Sequence, residues 1–254
     1  MALKRPGPTQ WRLAALALTA ALIAALTGCL GPSSMPTPSP TTPTNPTPTP
    51  TPTPAADPLE GVVALVATAE TLDLRDRDGA LVEQFHYLDQ PAGVIDALSI
   101  VFGAAPVDEE SPGSNHTPPS TSHVWGDVEI EERHYDEARR EAESIGMSWP
   151  RFSVYFDAPT YDDVELTTPS GYQAGDILAD LAPGFDSDDW TCVGQGVDVV
   201  TIDEYVEWQG GNVEREYGVA LANWDSMGGP PDGVDDEGTV IWIGAPYIVA
   251  EGCA

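Results

Sequence analysis

The chain has 254 residues and carries 41 Asp and Glu against 10 Lys and Arg, a formal net charge of −31. That balance argues against nucleic acid as a partner, because phosphate contacts need clustered Lys and Arg. The one lysine is Lys4, which removes lysine nucleophiles, Schiff bases and lysine general bases from everything downstream. All 41 acids lie beyond residue 56 and face only 7 Arg there, so that portion carries −34 (7 minus 41). Solubility and repulsion from anionic surfaces account for such acidity, with cations or a basic partner as the alternative.

Residues 1–28 have the three-part layout of a secretory signal, with Lys4, Arg5 and Arg12 ahead of the uncharged stretch Leu13 to Leu26. An uncleaved membrane helix needs about 20 apolar residues, and this stretch supplies 14. The alternative small-x-small cleavage site, Ala15-Leu16-Ala17, falls too deep in the apolar core. The stretch ends at Leu26-Thr27-Gly28-Cys29, which resembles the lipobox of bacterial lipoproteins. The resemblance implies cleavage between Gly28 and Cys29, a diacylglyceryl group on Cys29, and a protein tethered through that lipid to the outer face of the cell membrane. Three cysteines in an exported chain leave one over, and lipidation of Cys29 uses it. Cys192 and Cys253 are then expected to form a disulfide in an oxidising compartment, with two free buried thiols as the alternative. Closing that loop would stabilise the fold by about 4 kcal/mol on the chain-entropy view.

Residues 29–58 read as the lipidated cysteine and a stalk. From Pro32 to Pro58 there are 11 prolines in 27 residues, alternating with Thr and Ser and without apolar periodicity. Proline fixes φ and removes donors, so an extended spacer of about 3 Å per residue, roughly 80 Å in all, is expected.

Residues 59–254 are long enough for a globular domain with a real core, with possible halves 59–167 and 168–254. Val62 to Val66, Leu72 to Arg75 and Leu81 to Tyr87 predict strands, the last two joined by a turn at Arg77-Asp78-Gly79. Val94, Ile95, Leu98, Val101 and Phe102 predict a helix over Pro91–Phe102 that Gly103 ends. Ala105 to Ser122 reads as a long loop. A half-exposed strand follows, with Val124, Val128 and Ile130 on one face and Asp127, Glu129 and Glu131 on the other. His134 to Ser144 predicts a short solvated helix, Arg151–Asp157 and Asp163–Thr167 strands, and Ala174–Leu181 a second short apolar-faced helix. Val197–Val206, Tyr217–Trp224 and Thr239–Val249 complete the strands, the last continuously apolar and therefore expected at the centre of a sheet.

The expected fold class is α+β, mostly antiparallel sheet with two short helices. Helix, loop, strand, strand occurs twice, over Pro91–Asp157 and Gln173–Asp225, which suggests a tandem repeat with Phe152–Phe156 and Tyr217–Leu221 as equivalent strands. Lipobox, Pro/Thr stalk and small α+β domain together resemble lipoproteins of high-GC Gram-positive bacteria. A fainter likeness is to tandem helix-plus-sheet modules of the β-lactamase inhibitory protein type, which implies an architecture and no site residues.

No residue set predicts catalysis, a metal or a cofactor. Asp73, Asp76, Asp78 and Gly79 are better placed for a hairpin turn than for a calcium loop, since an EF-hand register would put Leu74 and Phe85 at ligand positions. Asp186 to Asp189 and Asp232 to Glu237 are acidic loops, solvated turns unless a hard cation collects their oxygens. His86, His116, His123 and His134 lack ligand spacing, and an extended chain would hold His123 and His134 about 30 Å or more apart. Trp125, Tyr155, Trp190, Trp208, Trp224 and Trp242 could line a sugar or peptide groove, with core positions as the alternative for about half of them. The sequence therefore points to a non-enzymatic binding module meeting an envelope or extracellular protein or a small molecule. The alternatives are an extracytoplasmic hydrolase using acidic residues and a structural envelope protein.

Overall fold

The computed structural model describes residues 57–114, 117–143, 146–185, 189–191, 193–206, 211–223 and 238–249. Among them, strands outweigh helices and form two sheets, so the α+β class with mostly antiparallel strands holds.

The smaller sheet has the order β3-β2-β1-β9-β8, from β1 (Val62–Ala67), β2 (Thr71–Asp76), β3 (Leu81–His86), β8 (Thr160–Tyr161) and β9 (Val164–Thr167). The predicted turn joins β2 to β3. Asp76 Oδ1 accepts from the N–H groups of Asp78 and Ala80, both at 2.9 Å, and Gly79 takes φ +76° where a side chain would strain. The acidic run is thus a capped hairpin turn. β1 pairs in parallel with β9, which ties residues near 165 back to the start of the domain.

The larger sheet has the order β10-β11-β12-β13-β7-β6-β5-β4. Its strands are β4 (Val107–Ser111), β5 (Ser120–Trp125), β6 (Val128–Arg133), β7 (Phe152–Phe156), β10 (Trp190–Thr191), β11 (Gly194–Val206), β12 (Gly211–Ala222) and β13 (Trp242–Val249). Two four-stranded meanders, β4 to β7 and β10 to β13, meet where their last strands pair antiparallel. The apolar β13 sits inside the sheet, as its sequence predicts. Tyr217–Leu221 takes the third place of its meander, whereas Phe152–Phe156 takes the fourth, so the expected equivalence of those two strands is not the one the strand order gives.

Three α-helices are described: α1 (Ala92–Val101) and the single turn α3 (Leu178–Leu181) at the two expected apolar-faced helices, and α2 (Glu137–Glu143) within the expected solvated one. Helix α1 turns Val94, Ala97 and Leu98 inward, and Gly103 at φ +61° stops it. The main core lies between the sheets and α1, where Leu65, Leu72, Leu74, Leu98, Ile130, Phe152, Phe156, Leu221 and Ile243 are fully buried. Each such side chain contributes about 1.5–3 kcal/mol by leaving water.

Two expectations fail between residues 105 and 131. The expected loop contains β4, whose five residues are all exposed and which forms the sheet edge. The expected single strand is the β5–β6 hairpin, turning at Gly126 (φ +58°) and Asp127 with Trp125 opposite Val128. Because the chain reverses there, Trp125 and not Val124 shares the buried face with Val128 and Ile130. The helix expected over Ala174–Leu181 is confined to its last turn, since Gly175 takes φ +96°.

Candidate binding cleft at the seam of the large sheet

Strand alternation sends two sets of side chains in opposite directions. Val128 and Ile130 of β6, Phe152, Val154 and Phe156 of β7, and Ile243 and Ala245 of β13 enter the main core. Glu129, Glu131 and Arg133, Ser153 and Tyr155, and Trp242 and Gly244 alternate with them and take the other face. On that face Trp242 and Tyr247 pack against Val193, Ala220 and Ala222.

The two meanders touch briefly. β7 and β13 pair over Val154–Phe156 and Ile243–Ala245 only, and the next residue of β13 is Pro246, which has no N–H to give a ladder. Beyond this point lies a cleft of about 670 Å³. Its lining includes Met147 to Pro150, ahead of β7, Pro246 to Ile248 of β13, and Glu131, Arg133, Tyr135, Tyr155 and Tyr217.

Aromatic rings supply its apolar surface. Tyr135 and Trp149 lie 5.2 Å apart at 35°, and Trp149 is 38% exposed. Tyr155 meets Trp242 edge to face at 5.6 Å, and Trp242 meets Tyr247 at 5.9 Å. Gly244 permits this gathering, because a Cβ there would stand 2.8 Å from the Trp242 ring and 3.0 Å from those of Tyr155 and Tyr247.

Polar groups in the cleft satisfy one another. Arg133 donates from Nε and Nη2 to Glu131 Oε2 at 3.2 and 2.9 Å, and Tyr155 donates to the same oxygen at 3.3 Å. Tyr135 is hydrogen-bonded to Arg133, and Tyr155 to Tyr247. Burial opposes charge on Arg133, but the oxygens of Tyr155, Glu131 and Tyr135 outweigh it and hold the guanidinium above its ordinary pKa. Burial raises Tyr155 and Tyr135 above the ordinary phenol value and pushes Tyr247 up to about 12. Burial and hydrogen bonding to Glu204 raise Tyr217 as well. At neutral pH all four phenols keep their protons.

Behind this wall stands Glu204 of β11, 5% exposed. Its carboxylate accepts from the Ser148 N–H at 3.1 Å, from the Ser148 hydroxyl and from the Tyr217 hydroxyl, with Arg215 Nε at 3.6 Å. Arg215 Nη1 donates to Ser148 Oγ at 3.0 Å. Four groups thus hold one buried carboxylate, and the cluster fixes the loop before β7 against β11 and β12. Among the described residues no histidine lines the cleft, so Ser148 has no imidazole base beside it there.

The described carboxyls that burial pushes up, Glu129 and Asp157, are not among the cleft's lining residues. Ser122 donates to Glu129 at 2.6 Å. His123 and His134 do converge, contrary to the extended-chain estimate, because the β5–β6 hairpin folds them back. His123 lies 2.8 Å from Asp108 and 3.1 Å from Glu132, whose other oxygen is 3.9 Å from His134. Among the described residues no group of three or more His, Cys, Asp or Glu is placed to hold a metal ion.

Of the aromatics singled out from sequence, Tyr155 lines the cleft and Trp242 packs behind it, whereas Trp125 is a core residue donating to the Ala104 carbonyl at 2.9 Å. Gly28, Cys29, Cys192, Cys253, His116, Trp208, Trp224, Asp186 to Asp188 and Asp232 to Glu237 lie outside the described residues, as does the side chain of Trp190. Tyr135, Trp149 and Tyr247 were not anticipated. A signal that could have pointed to the first two is Arg133, Arg139, Arg140 and Arg151 crowded into 19 positions of an arginine-poor chain, whereas none marks Tyr247. No protein-family model, curated protein or solved structure matches the chain.

Proposed function

We propose that this chain is an extracytoplasmic lipoprotein, anchored through a diacylglyceryl group on Cys29, whose globular domain binds a ligand in the cleft between β7 and β13 without transforming it. One observation carries the binding reading: the cleft walls are aromatic faces and mutually satisfied polar groups. An enzyme of the acid-using kind would instead bring carboxyls of raised pKa to the cavity. The dimensions support it too, since small-ligand sites run from about 300 to 1,000 Å³.

The test is a ligand screen by intrinsic fluorescence, because Trp149 stands partly exposed in the lining. A ligand should change the emission of the native protein and not that of Trp149→Phe, while a response unaltered by that substitution would remove the cleft from consideration. For the anchor, Cys29→Ala should leave unprocessed precursor or release protein from the membrane fraction. Unchanged fractionation and migration would refute lipidation.

We further infer that the two meanders are a tandem repeat within halves 59–167 and 168–254, each opening with a helix and closing at the shared seam. Their mirrored strand order supports it. Strand-for-strand superposition of β4–β7 on β10–β13 checks it, and crossed strand directions would reject it.

A further inference from the structure

We propose that the outer edge of β11 takes, as an added strand of the large sheet, an extended segment of another protein that alternates Lys or Arg with apolar residues. No residue of β11 lines the cleft, so this surface is separate from it. β11 runs from Gly194 to Val206, but its outer neighbour β10 pairs only with Gly194 and Gln195. The Gly196 N–H then meets the Asp189 carbonyl at 2.6 Å, and the Ser170 N–H meets Asp198 Oδ2 at 3.2 Å. From Val200 to Val206 β12 pairs one side without interruption, and among the described residues no strand or other backbone group pairs the other. That leaves about 20 Å of open edge.

Sheet edges are ordinarily blunted by shortness, lysine, proline, a bulge or an inward-pointing charge. Val200 to Val206 holds neither lysine nor proline, and its bulge lies ahead of it, between Val197 and Val200. Its inward charge, Glu204, is bonded to Ser148 and Tyr217. The edge at the other end of the sheet differs: β4 is five residues long, and its Asp108 and Glu110 are bonded to His123 and Thr121.

Charge selects the occupant. Thr201, Asp203 and Tyr205 alternate outward and are exposed, and across the register stand Glu216, Glu214 and Asn212, exposed as well. Asp203 and Glu214 are thus directly opposed, a like-charge pair that costs stability. Arg215 lies on the opposite face, turned to Glu204 and Ser148, and among the described residues Asp203, Glu214 and Glu216 form no ion pair. Basic side chains on an added strand would meet these three carboxylates. Its alternate side chains would meet Val200 and Ile202, which pack on the main core and are only half-buried. Strand addition draws affinity from the backbone and specificity from such alternate positions. A second copy is disfavoured, since two β11 edges would bring Asp203 and Glu214 against their own kind.

The test uses full-length lipoprotein in a non-ionic detergent and two capped octapeptides, Lys-Val and Glu-Val each repeated four times. Binding is read by fluorescence anisotropy of the labelled peptide and located by amide hydrogen exchange. The Lys-Val peptide should bind at least tenfold more tightly than the Glu-Val peptide and slow exchange within Val200–Val206. Asp203→Lys, at an exposed position, should weaken it about tenfold. Equal binding of the two peptides, no binding of the Lys-Val peptide, or binding that slows no β11 amide would overturn the proposal. Self-association that slows β11 amides as protein concentration rises would give the edge to a second copy and overturn the basic partner.

Discussion

Glu204 shows how one buried carboxylate can organise a wall. Its donors come from the loop before β7 and from β12, so removing its charge unties three stretches of chain at once. Hydrogen bonds to charged groups are worth about 1.5–3 kcal/mol each, and Glu204→Gln should lower stability by about that much, read from the urea midpoint. Ser153 is the opposite case. Its hydroxyl is fully buried without a hydrogen-bond partner among the described residues, directly across from Glu131 in the β6–β7 register. Ser153→Ala should therefore be neutral or stabilise by about 1 kcal/mol, since it removes an unpaid desolvation. The phenols set an alkaline limit. Tyr247 is held up to about 12, so above the ordinary value near 10 the unfolded chain loses its proton first. The unfolded state then binds fewer protons than the folded one, and stability present below about pH 10 falls as pH rises towards 12. Urea midpoints at increasing alkalinity should decline, and Tyr247→Phe should flatten the decline. None of these roles was legible in sequence, because Glu204 and Ser153 sit in strands whose alternation says which way they point and nothing about what meets them.

At the scale of elements, the readable parts were those whose signals are local. The Asp-Gly turn, the α1 periodicity and the apolar β13 are each decided within a dozen residues, and each was predicted in place. β4 was not, because Val107 to Ser111 alternates nothing: all five side chains are exposed, and its partner β5 alone makes it a strand. The β5–β6 hairpin was missed for a different reason. Gly126-Asp127 is a two-residue turn signal, yet the apolar residues around it continue an even-numbered alternation that mimics one straight strand. Gly244 connects element to site. Placing Ala there puts a Cβ against three rings, and overpacking of this kind costs about 1–3 kcal/mol. Gly244→Ala should lower the melting temperature and perturb the near-ultraviolet dichroism of the aromatic group together. A lowered melting temperature with an unchanged aromatic signal would show that the strain is taken up in the backbone.

For the whole molecule, the charge and the lipobox resemblance are read from the sequence more directly than the cleft. Net charge, stalk and lipobox resemblance are properties of composition and order, whereas the cleft joins residues from 114 to 248 that no spacing links. The expected Cys192–Cys253 pair belongs to this scale too, since it would close the second half onto its own end. Non-reducing peptide mapping should find one crosslinked peptide pair, and two alkylated thiols would refute it.

One end of the large sheet gains meaning on a tethered protein. Lipid anchoring would confine copies to two dimensions, where neighbours collide side by side far more often than in solution. An exposed strand edge is a template for pairing with another chain. The outermost strand β4 carries Asp108, Glu109 and Glu110 in succession, all exposed. Two such edges approaching each other would set carboxylate against carboxylate, so on a lipid-anchored chain this edge would oppose pairing between copies and leave each one its own seam.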